Sequence, residues 1–378
     1  MVFAIEILAG VFAGRRQLSI APHDDNYPSI AVLVPAHNES AGIRSTIADI
    51  GKQMRSCDRL LVVADNCTDD TGAVAKFAGA EVVERNDPVN RGKGFALDWG
   101  IQHLRQDPRE IVIIVDADCR LGDRALERLA HDCSTMKRPV QASYLMTAPV
   151  GAQVNHQVAE FAWRVKNWLR PLGLHALNLP SQLTGTGMAF PSEMISSAHL
   201  ANAEIVEDMK LGLDLALAGH SPRFCPSALV TSEFARSVRG SGTQRKRWEQ
   251  GHLALIFKFA PRLFAAAAVR SDLRLLAITL DLTVPPLSLL GLLVLGTFGL
   301  SLPLAILDHS FAACAVASTN LILLAIAVIL AWLKCGRDVV PPSALMLIPS
   351  YIFRKLKLYG QLALGRTDSN WKRTERAE

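Results

Sequence analysis

The arrangement of apolar and polar positions over residues 30–115 predicts strands and helices in alternation. Four apolar runs have the length of strands, at residues 30–36, 60–63, 81–83 and 111–115. Between the first two runs, apolar residues recur at helical spacing, at Ile43, Ile47, Ile50 and Met54. Continuous β-branched runs separated by helices are typical of a sheet that is covered on both faces. We therefore predict an α/β fold, a mostly parallel sheet with flanking helices.

A second pattern begins near residue 275, where charges almost disappear. Residues 275–333 contain only two charged residues, Asp281 and Asp308. Within this part, residues 286–307 and 311–333 are each long enough to cross a bilayer, which needs about 20 apolar residues. The basic residues that flank these runs are Lys258, Arg262, Arg270, Arg274, Lys334 and Arg337. By the positive-inside rule, we predict a transmembrane hairpin with both ends, and the N-terminal region, in the cytoplasm.

Two shorter apolar stretches are interpreted as lying at the membrane surface. Residues 339–353 contain three prolines and have basic residues at both ends, which favours a re-entrant or interfacial segment. Residues 1–13 are apolar but contain Glu6, and Arg15 and Arg16 follow them. We expect an interfacial or partial membrane helix at 1–16, a cytoplasmic domain at 28–257, a transmembrane hairpin at 275–333, and a re-entrant or interfacial segment with a basic cytoplasmic tail at 339–378.

Composition narrows the possible partners. The net charge of +5 is mild and does not indicate a nucleic-acid partner, whereas basic residues near the apolar part suit anionic membrane lipids. The seven cysteines are odd in number and have no CxxC spacing, so a disulfide framework or a zinc site is not expected. These features indicate a reduced compartment, which agrees with a cytoplasmic catalytic domain.

Carboxylates follow the predicted strands at the edge where ligands of parallel sheets bind. Glu39 follows the first strand, Asp65 the second, and Asp116 and Asp118 the run at 111–115. Two carboxylates two residues apart repel each other unless a cation lies between them. Mg²⁺ in proteins commonly uses one or two carboxylates together with phosphate oxygens. The spacing of Asp116 and Asp118 therefore predicts a divalent metal site.

Later segments supply further candidate groups, each with a structural alternative. Lys93, between two glycines, either binds phosphate or lies in an exposed turn. Asp208, near the start of a predicted helix that ends at Gly219, either acts chemically or complements the helix dipole. Residues 244–248 form either a phosphate-binding motif or a basic patch on lipid headgroups with a Trp anchor. An apolar stripe from Val158 to Leu169 predicts an interfacial helix or an ordinary core helix equally well.

Five motifs occur in the order found in a known family. They are Val34-Pro-Ala-His-Asn-Glu39, Ala64-Asp-Asn-Cys-Thr-Asp69, Asp116-Ala-Asp118, Glu207-Asp208 and Gln244-x-x-Arg247-Trp248. The ordered set, over about residues 30–252, resembles the membrane-bound family-2 glycosyltransferases. These include cellulose, hyaluronan and poly-N-acetylglucosamine synthases and ceramide glucosyltransferases; bacterial exopolysaccharide glycosyltransferases resemble this chain most. The resemblance implies a GT-A-like nucleotide-diphospho-sugar transferase fold.

The resemblance also implies a role for each matching residue. Glu39 and Asp65 would contact uracil and ribose, Lys93 the diphosphate, and Asp116 the nucleotide. Asp118, with Asp116, would ligate Mg²⁺ or Mn²⁺. Asp208 would be the general base. Gln244, Arg247 and Trp248 would close over the diphosphate and the acceptor.

The implied activity is that of an inverting hexosyltransferase in the bacterial inner membrane. It would move a sugar from a nucleotide-sugar donor, a UDP-sugar by preference, to a lipid-linked or polysaccharide acceptor in polysaccharide or glycolipid synthesis. Few predicted spans favour a single addition over a processive synthase, although a homo-oligomer or export partners would supply a pore. A non-catalytic membrane scaffold that binds a nucleotide sugar is the alternative from another class.

Overall fold

The computed structural model describes residues 1–14, 27–149, 151–152, 154–202, 204–235, 238–308, 311–345, 355–356 and 359–360. Predictions for residues 15–16, for the turn at 309–310 and for most of the segment from 346 onward lie outside the described residues.

The described chain alternates strands and helices before it becomes helical. The strands are β1 (Ile30–Ala36), β2 (Arg59–Asp65), β3 (Glu81–Arg85), β4 (Ile111–Ile114), β5 (Arg120–Leu121), β6 (Val140–Thr147), β7 (Met188–Pro191) and β8 (Arg223–Glu233). The helices up to α9 are α1 (Val2–Phe12), α2 (Ile43–Gly51), α3 (Thr71–Phe77), α4 (Lys93–Leu104), α5 (Ala125–Met136), α6 (Val154–Arg164), α7 (Arg170–Ala176), α8 (Ser192–Ser196) and α9 (Glu207–Leu217). A π-helical turn, Val165–Leu169, joins α6 to α7. The later helices are α10 (Val238–Arg270), α11 (Leu273–Leu282), α12 (Leu287–Asp308), α13 (Ala312–Cys335) and α14 (Pro342–Leu345).

The strands form one eight-stranded sheet in the order β3-β2-β1-β4-β7-β6-β8-β5. Strand β1 pairs in parallel with β2 and β4, and β2 pairs in parallel with β3. Antiparallel pairings of β7 with β4 and β6 make the whole sheet mixed. The four predicted strands are confirmed, and they pair in parallel as expected. Each antiparallel pairing involves a strand after residue 115, where the pattern predicted no strands.

The sheet is buried on both faces because its central strands contain apolar residues at successive positions. Val32 and Val34 of β1 point into one core, whereas Ala31 and Leu33 point into the other, and all four are fully buried or nearly so. Helix α4 lies very close to the second face. A Cβ atom added at Gly100 would be 2.4 Å from Leu33 Cδ1, so a larger residue here would force the Leu33 side chain to move.

Three described helices are long and apolar enough to cross a membrane by length and composition: Gln244–Arg270 within α10, Leu287–Leu307 in α12, and Ala312–Cys335 in α13. The sequence had predicted the last two. Helix α10 differs from them because its buried Leu255, Phe259 and Leu263 pack in one cluster with apolar residues of α9 and α11. Helix α11, which falls at the start of the predicted hairpin segment, belongs to the same cluster. It therefore packs beside α9 and α10, and the two long helices follow it.

Helix α1 is an integral part of the fold and not a free surface helix. It contacts α7 so closely that a Cβ atom at Gly173 would be 2.0 Å from the Glu6 carbonyl oxygen. The Glu6 carboxylate accepts a hydrogen bond from Arg170 Nε at 2.6 Å, and Arg170 Nη2 donates to Asp281 Oδ1 at 2.5 Å. All three side chains are buried. The charge inside this apolar helix thus belongs to an ion triad that joins α1, α7 and α11.

The apolar stripe from Val158 to Leu169 lies against α1 and the candidate membrane helix α13. Phe161, Val165 and Leu169 are buried in a cluster with residues of α1 and with Ala327 and Ala331 of α13. Arg164, on the same segment, forms an ion pair with Asp338 at 2.7 Å. The stripe is therefore a packing surface between the sheet domain and the candidate membrane helices.

Candidate functional site

The predicted site residues converge on one cavity of about 440 Å³ at the carboxyl ends of the parallel strands. The nine predicted residues that line it are Glu39, Asp65, Lys93, Asp116, Asp118, Asp208, Gln244, Arg247 and Trp248. They come from segments between residues 39 and 248. The fold therefore brings together every residue that the sequence singled out as a site residue.

Sharp turns at the strand ends place the first two carboxylates. Asn38 and Asn66 follow β1 and β2 in the left-handed region, with φ of 55° and 51°. Asparagine tolerates this conformation better than most side chains. The backbone N–H of Glu39 donates to Thr71 Oγ1 at 2.8 Å, and the side chain of Asn38 contacts Thr68. The loops after β1 and β2 are thus tied to each other at the edge of the cavity.

Asp65 is held by a partner that the sequence analysis missed. Arg85 Nη1 donates to Asp65 Oδ1 at 2.7 Å, and both side chains are buried. Arg85 also donates to Asp87 Oδ2 at 2.9 Å and to the carbonyl of Asn90 at 2.8 Å. Arg85 is the last residue of β3. It follows the predicted strand at residues 81–83, and this position was the available indication. Its guanidinium fixes the carboxylate that the resemblance assigns to the nucleoside.

Lys93, at the start of α4, lies at the centre of the acidic residues. Its Nζ is 2.5 Å from Asp116 Oδ1 and 4.0 Å from Glu207 Oε1, and it donates to the carbonyl of Gly185 at 2.7 Å. Although burial lowers the pKa of Lys93, the neighbouring carboxylates outweigh it and raise the pKa above its ordinary value. Lys93 therefore carries a permanent positive charge at this position.

Asp116 and Asp118 both line the cavity. The backbone N–H of Asp116 donates to Thr186 Oγ1 at 3.0 Å, which fixes the turn after β4. Burial, with the charge of Asp118, raises the pKa of Asp116 despite the contact with Lys93. Among the described residues, no group of three or more His, Cys, Asp or Glu side chains is arranged to hold a metal. The two carboxylates fit a hard cation that takes its remaining ligands from phosphate oxygens and water.

Glu207 and Asp208 open α9 on the opposite side of Lys93. Burial raises the pKa of Asp208, and it raises the pKa of Glu207 to about 7. A Cβ atom placed on Gly185 would be 3.2 Å from Asp208 Oδ2, so the glycine loop lies directly against this carboxylate. Gly185 has a φ of +94°, which other residues rarely adopt. The position needs glycine both for its backbone and for the closeness of Asp208.

Helix α10 closes another side of the cavity with Gln244, Arg247 and Trp248. The ring of Trp248 lies 4.9 Å from the ring of Trp163, at an interplanar angle of 44°. Trp163 in turn packs edge-on against Tyr144 at 5.4 Å and donates from Nε1 to the Tyr144 carbonyl at 3.1 Å. The motif therefore begins inside a long helix, and an aromatic cluster orients its tryptophan.

Two further lining residues had no motif to mark them. Tyr144 of β6 donates to or accepts from Ser232 Oγ at 2.8 Å, and Lys166 lies on the π-helical turn. The sequence indicated only an apolar stripe in the region of Lys166. A π-helical turn is often found at functional sites, but its position could not be identified from periodicity alone.

Comparison with known proteins gives the family. The sequence model described as "Glycosyltransferase like family 2" matches residues 28–251, which is more than half of the chain. The chain is 24% identical over 260 residues to a probable glycosyltransferase, YdaM, of Bacillus subtilis (strain 168), covering 63% of the chain and 58% of that relative. It is 30% identical over 213 residues to the low-salt glycan biosynthesis hexosyltransferase Agl6 of Haloferax volcanii, covering 50% of the chain and 49% of that relative. The chain thus spans about half the length of these curated relatives.

One similar solved structure is the mannosyltransferase PcManGT from Pyrobaculum calidifontis in complex with GDP-Man and Mn²⁺. It is 19% identical, with a TM-score of 0.46, and the match covers 88% of this chain and 98% of that one. The mixed sheet with flanking helices is the predicted GT-A-like nucleotide-sugar transferase fold. The chain belongs to the glycosyltransferase-like family 2.

Proposed function

We propose that this chain transfers a hexosyl group, with inversion, from a UDP-sugar to an acceptor at the cytoplasmic surface of a bacterial inner membrane. The observation that carries the proposal is the convergence of Lys93, Asp116, Asp118 and Asp208 on one cavity at the carboxyl ends of the parallel strands. In a chain of this family, such a cavity fits a nucleoside diphosphate beside a carboxylate that removes a proton.

The donor lies across the ends of β1, β2 and β4 in this proposal. Glu39 and Asp65 contact the uracil and the ribose, and the ion pair with Arg85 keeps Asp65 in place. Lys93 and Asp116 lie on the diphosphate side, 2.5 Å from each other. Lys93 balances the buried carboxylates when no donor is present and exchanges part of that contact for phosphate oxygens when the donor binds.

Asp118, with Asp116, would hold Mg²⁺ or Mn²⁺ against the diphosphate oxygens. A divalent ion bound there supplies positive charge to the departing nucleoside diphosphate. Two relatives support this choice of chemistry, since PcManGT and the glucosyl-3-phosphoglycerate synthase of Mycobacterium tuberculosis were both solved with Mn²⁺. The permanent charge of Lys93, together with Arg247 on α10, would stabilise the same leaving group from the protein side.

Asp208 acts as the general base in a single displacement. The acceptor hydroxyl oxygen forms a bond to the anomeric carbon, the bond from that carbon to the diphosphate oxygen breaks, and the hydroxyl proton moves to Asp208. Desolvation raises the pKa of the partly buried Asp208, which makes it a better proton acceptor than an exposed aspartate. Because one carboxylate suffices and no covalent intermediate forms, the configuration at the anomeric carbon inverts.

Helix α10 closes the acceptor side in this proposal. Gln244 and Arg247 reach the diphosphate, while Trp248, packed against Trp163, offers an apolar face to a sugar ring. A motif on one rigid helix would move toward the donor as a unit.

The membrane arrangement follows from the helices and the charges. Helices α12 and α13 would form the transmembrane hairpin, and α10, which packs on α9 and α11, would stay with the cytoplasmic domain. Two crossing helices are few for a polysaccharide pore, which favours a single addition to a lipid-linked acceptor over processive synthesis.

A donor panel tests the proposal. Membranes that contain the protein are incubated with UDP- and GDP-sugars, with and without Mn²⁺, and nucleotide release and transfer to added lipid extract are measured. The proposal expects metal-dependent release of UDP from one donor, with loss in Asp208→Asn and Asp118→Ala. Tight UDP binding without any turnover would contradict it and favour a non-catalytic scaffold.

A further inference from the structure

A second cavity, of about 190 Å³, lies between the sheet domain and the candidate membrane helices. Its walls come from α1, α6, the π-helical turn, α10, α12 and α13. Most lining side chains are apolar, among them Phe161, Val165, Leu287, Leu324 and Val328. A partly open, mostly apolar space of this kind fits a hydrocarbon chain.

This second cavity adjoins the donor cavity. Trp163, Lys166 and Trp248 line both of them. The two indole rings, 4.9 Å apart, form the wall between the cavities, and Lys166 lies beside that wall. A molecule with an apolar chain in one cavity could therefore extend a polar group toward the catalytic carboxylate in the other.

Lys166 stands at this junction near the charges of Asp208, Asp281 and Glu249. Within the described part of the chain, it forms no salt bridge, whereas Arg170 is neutralised by Glu6 and Asp281. Lys355 is neutralised by Glu249. Burial lowers the pKa of Lys166, and the nearby charge of Asp208 acts against that shift. A half-buried cation in such a position favours an anionic partner.

The position of Lys166 is fixed by helix geometry. It lies on the π-helical turn Val165–Leu169, with buried Val165 and Leu169 packing toward α1 and α13. The extra residue of a π turn rotates the side chains that follow, so that a lysine inside an apolar stripe can face a cavity. The apolar faces of α12 and α13 that do not contact the protein, for example Leu293, Leu300 and Ile329, are exposed. The cavity thus lies where lipid would meet the sheet domain.

We propose that the second cavity holds the hydrocarbon chain of the acceptor, and that Lys166 binds an anionic phosphate in the acceptor's head group and positions its hydroxyl toward Asp208. This inference rests on the proposed function, because it specifies the acceptor of the same site. Lys166 is a positioning residue: it orients the acceptor and takes no proton. The acceptor class is an amphiphile with a phosphate and a free hydroxyl in its head group.

Photoreactive lipids test the inference in the full-length protein in nanodiscs. The probes are phosphatidylglycerol and diacylglycerol with the same diazirine-bearing acyl chains. Phosphatidylglycerol has the phosphate and hydroxyl of the proposed class, whereas diacylglycerol lacks the phosphate. We expect the acyl chains of both lipids to cross-link to α6 and α13, and phosphatidylglycerol to label the protein more strongly than diacylglycerol. UDP binding is measured in every variant as a check of folding.

Two pairs of variants distinguish binding of the lipid's acyl chain from binding of its head group. Lys166→Gln should lower phosphatidylglycerol labelling about tenfold, the effect of one charge-assisted contact, with Lys166→Arg restoring it. Val328→Phe should lower labelling by both lipids because it fills the cavity. Ile329→Phe, the next residue on the same helix, is 52% exposed and should not.

The outcomes distinguish the inference from the proposed function. Equal labelling by both lipids, or no effect of Lys166→Gln, would overturn the inference. Inorganic phosphate that abolished the difference between the two lipids at low millimolar concentration would also overturn it, since the site would then bind a free anion. If the protein turns over a nucleotide sugar but gives any of these three results, the inference alone is contradicted. A protein that labels as expected but turns over no nucleotide sugar contradicts the proposed function.

Discussion

The proposed donor side and the proposed acceptor side of the candidate site are built in different ways. The donor side consists of short polar segments directly after β1, β2 and β4, and its charges are paired, as Lys93 is with Asp116 and Arg85 with Asp65. The acceptor side consists of helices far apart in sequence, from α1 to α13, around an apolar cavity. A chemical step common to a family can use local motifs, whereas the proposed acceptor recognition would depend on how distant helices pack.

The largest expected effect is on the rate of sugar transfer when Asp208 is substituted. Asp208→Asn removes the proposed base and should lower sugar transfer by about 10²–10⁴-fold, the usual contribution of general-base catalysis. The rate is measured with saturating donor. Asp214→Asn, on the same helix, removes only an ion pair with Lys210 near the surface and serves as the matched control. Full activity in Asp208→Asn would assign the base to another residue.

A second substitution tests how the ion triad stabilises the helices around the second cavity. Arg170→Met leaves Glu6 and Asp281 buried without their common partner, and should cost about 3–5 kcal/mol of unfolding free energy. Thermal unfolding in detergent measures the loss. Lys52→Met, which removes a surface pair with a 75% exposed lysine, should change stability by less than about 1 kcal/mol. Equal effects of the two variants would mean that the triad does not join α1 to the fold.

The pH dependence of transfer sharpens the assignment of the base. Asp208 works as a carboxylate, and it loses this form as the pH falls through its pKa. Because burial raises that pKa, the acid limb of kcat/KM should lie above about pH 3.9, the ordinary value for aspartate, and fall about tenfold per pH unit.

The same profile in Glu207→Gln separates the two neighbouring acids. Glu207 has a pKa raised to about 7, so it titrates in the working range. If Asp208 is the base, an acid limb persists in Glu207→Gln. Disappearance of the limb in this variant would assign it to Glu207.

The smallest expected effect concerns nucleoside binding. Arg85→Gln frees the Asp65 carboxylate from its 2.7 Å contact and should weaken UDP binding about tenfold, since charge-assisted hydrogen bonds contribute about 1.5–3 kcal/mol. Calorimetric titration with UDP measures the affinity. Arg59→Gln removes a comparable pair with Glu81 at the opposite end of β2 and should leave the affinity unchanged. Equal losses in the two variants would contradict a role for Arg85 at the site.

Prediction from sequence succeeded where local pattern determines structure. The apolar runs of β1, β2 and β4 need only their own residues to indicate buried strands, and polar residues such as Glu39 and Asp116 follow them directly. Parallel pairing then places those residues at one edge, so their convergence follows from topology. The start of α9 at Glu207 and its end near Gly219 were likewise visible in the sequence.

Prediction was incomplete where long-range packing decides. Arg85 meets Asp65 only because β3 pairs beside β2, and Glu6 meets Arg170 across 164 positions of sequence. Helix α10 is long and apolar, yet it packs on α9 and α11, which composition could not indicate. The π-helical turn that orients Lys166 also has no periodic pattern of its own.

The most direct test of the account is the anomeric configuration of the transferred sugar. The product formed from an α-linked UDP-sugar is isolated, and the configuration of its new glycosidic bond is determined by nuclear magnetic resonance. Single displacement assisted by Asp208 predicts a β-linked product that is absent with Asp208→Asn. An α-linked product would mean that the configuration is retained, which a single inverting displacement cannot give, and would contradict the account.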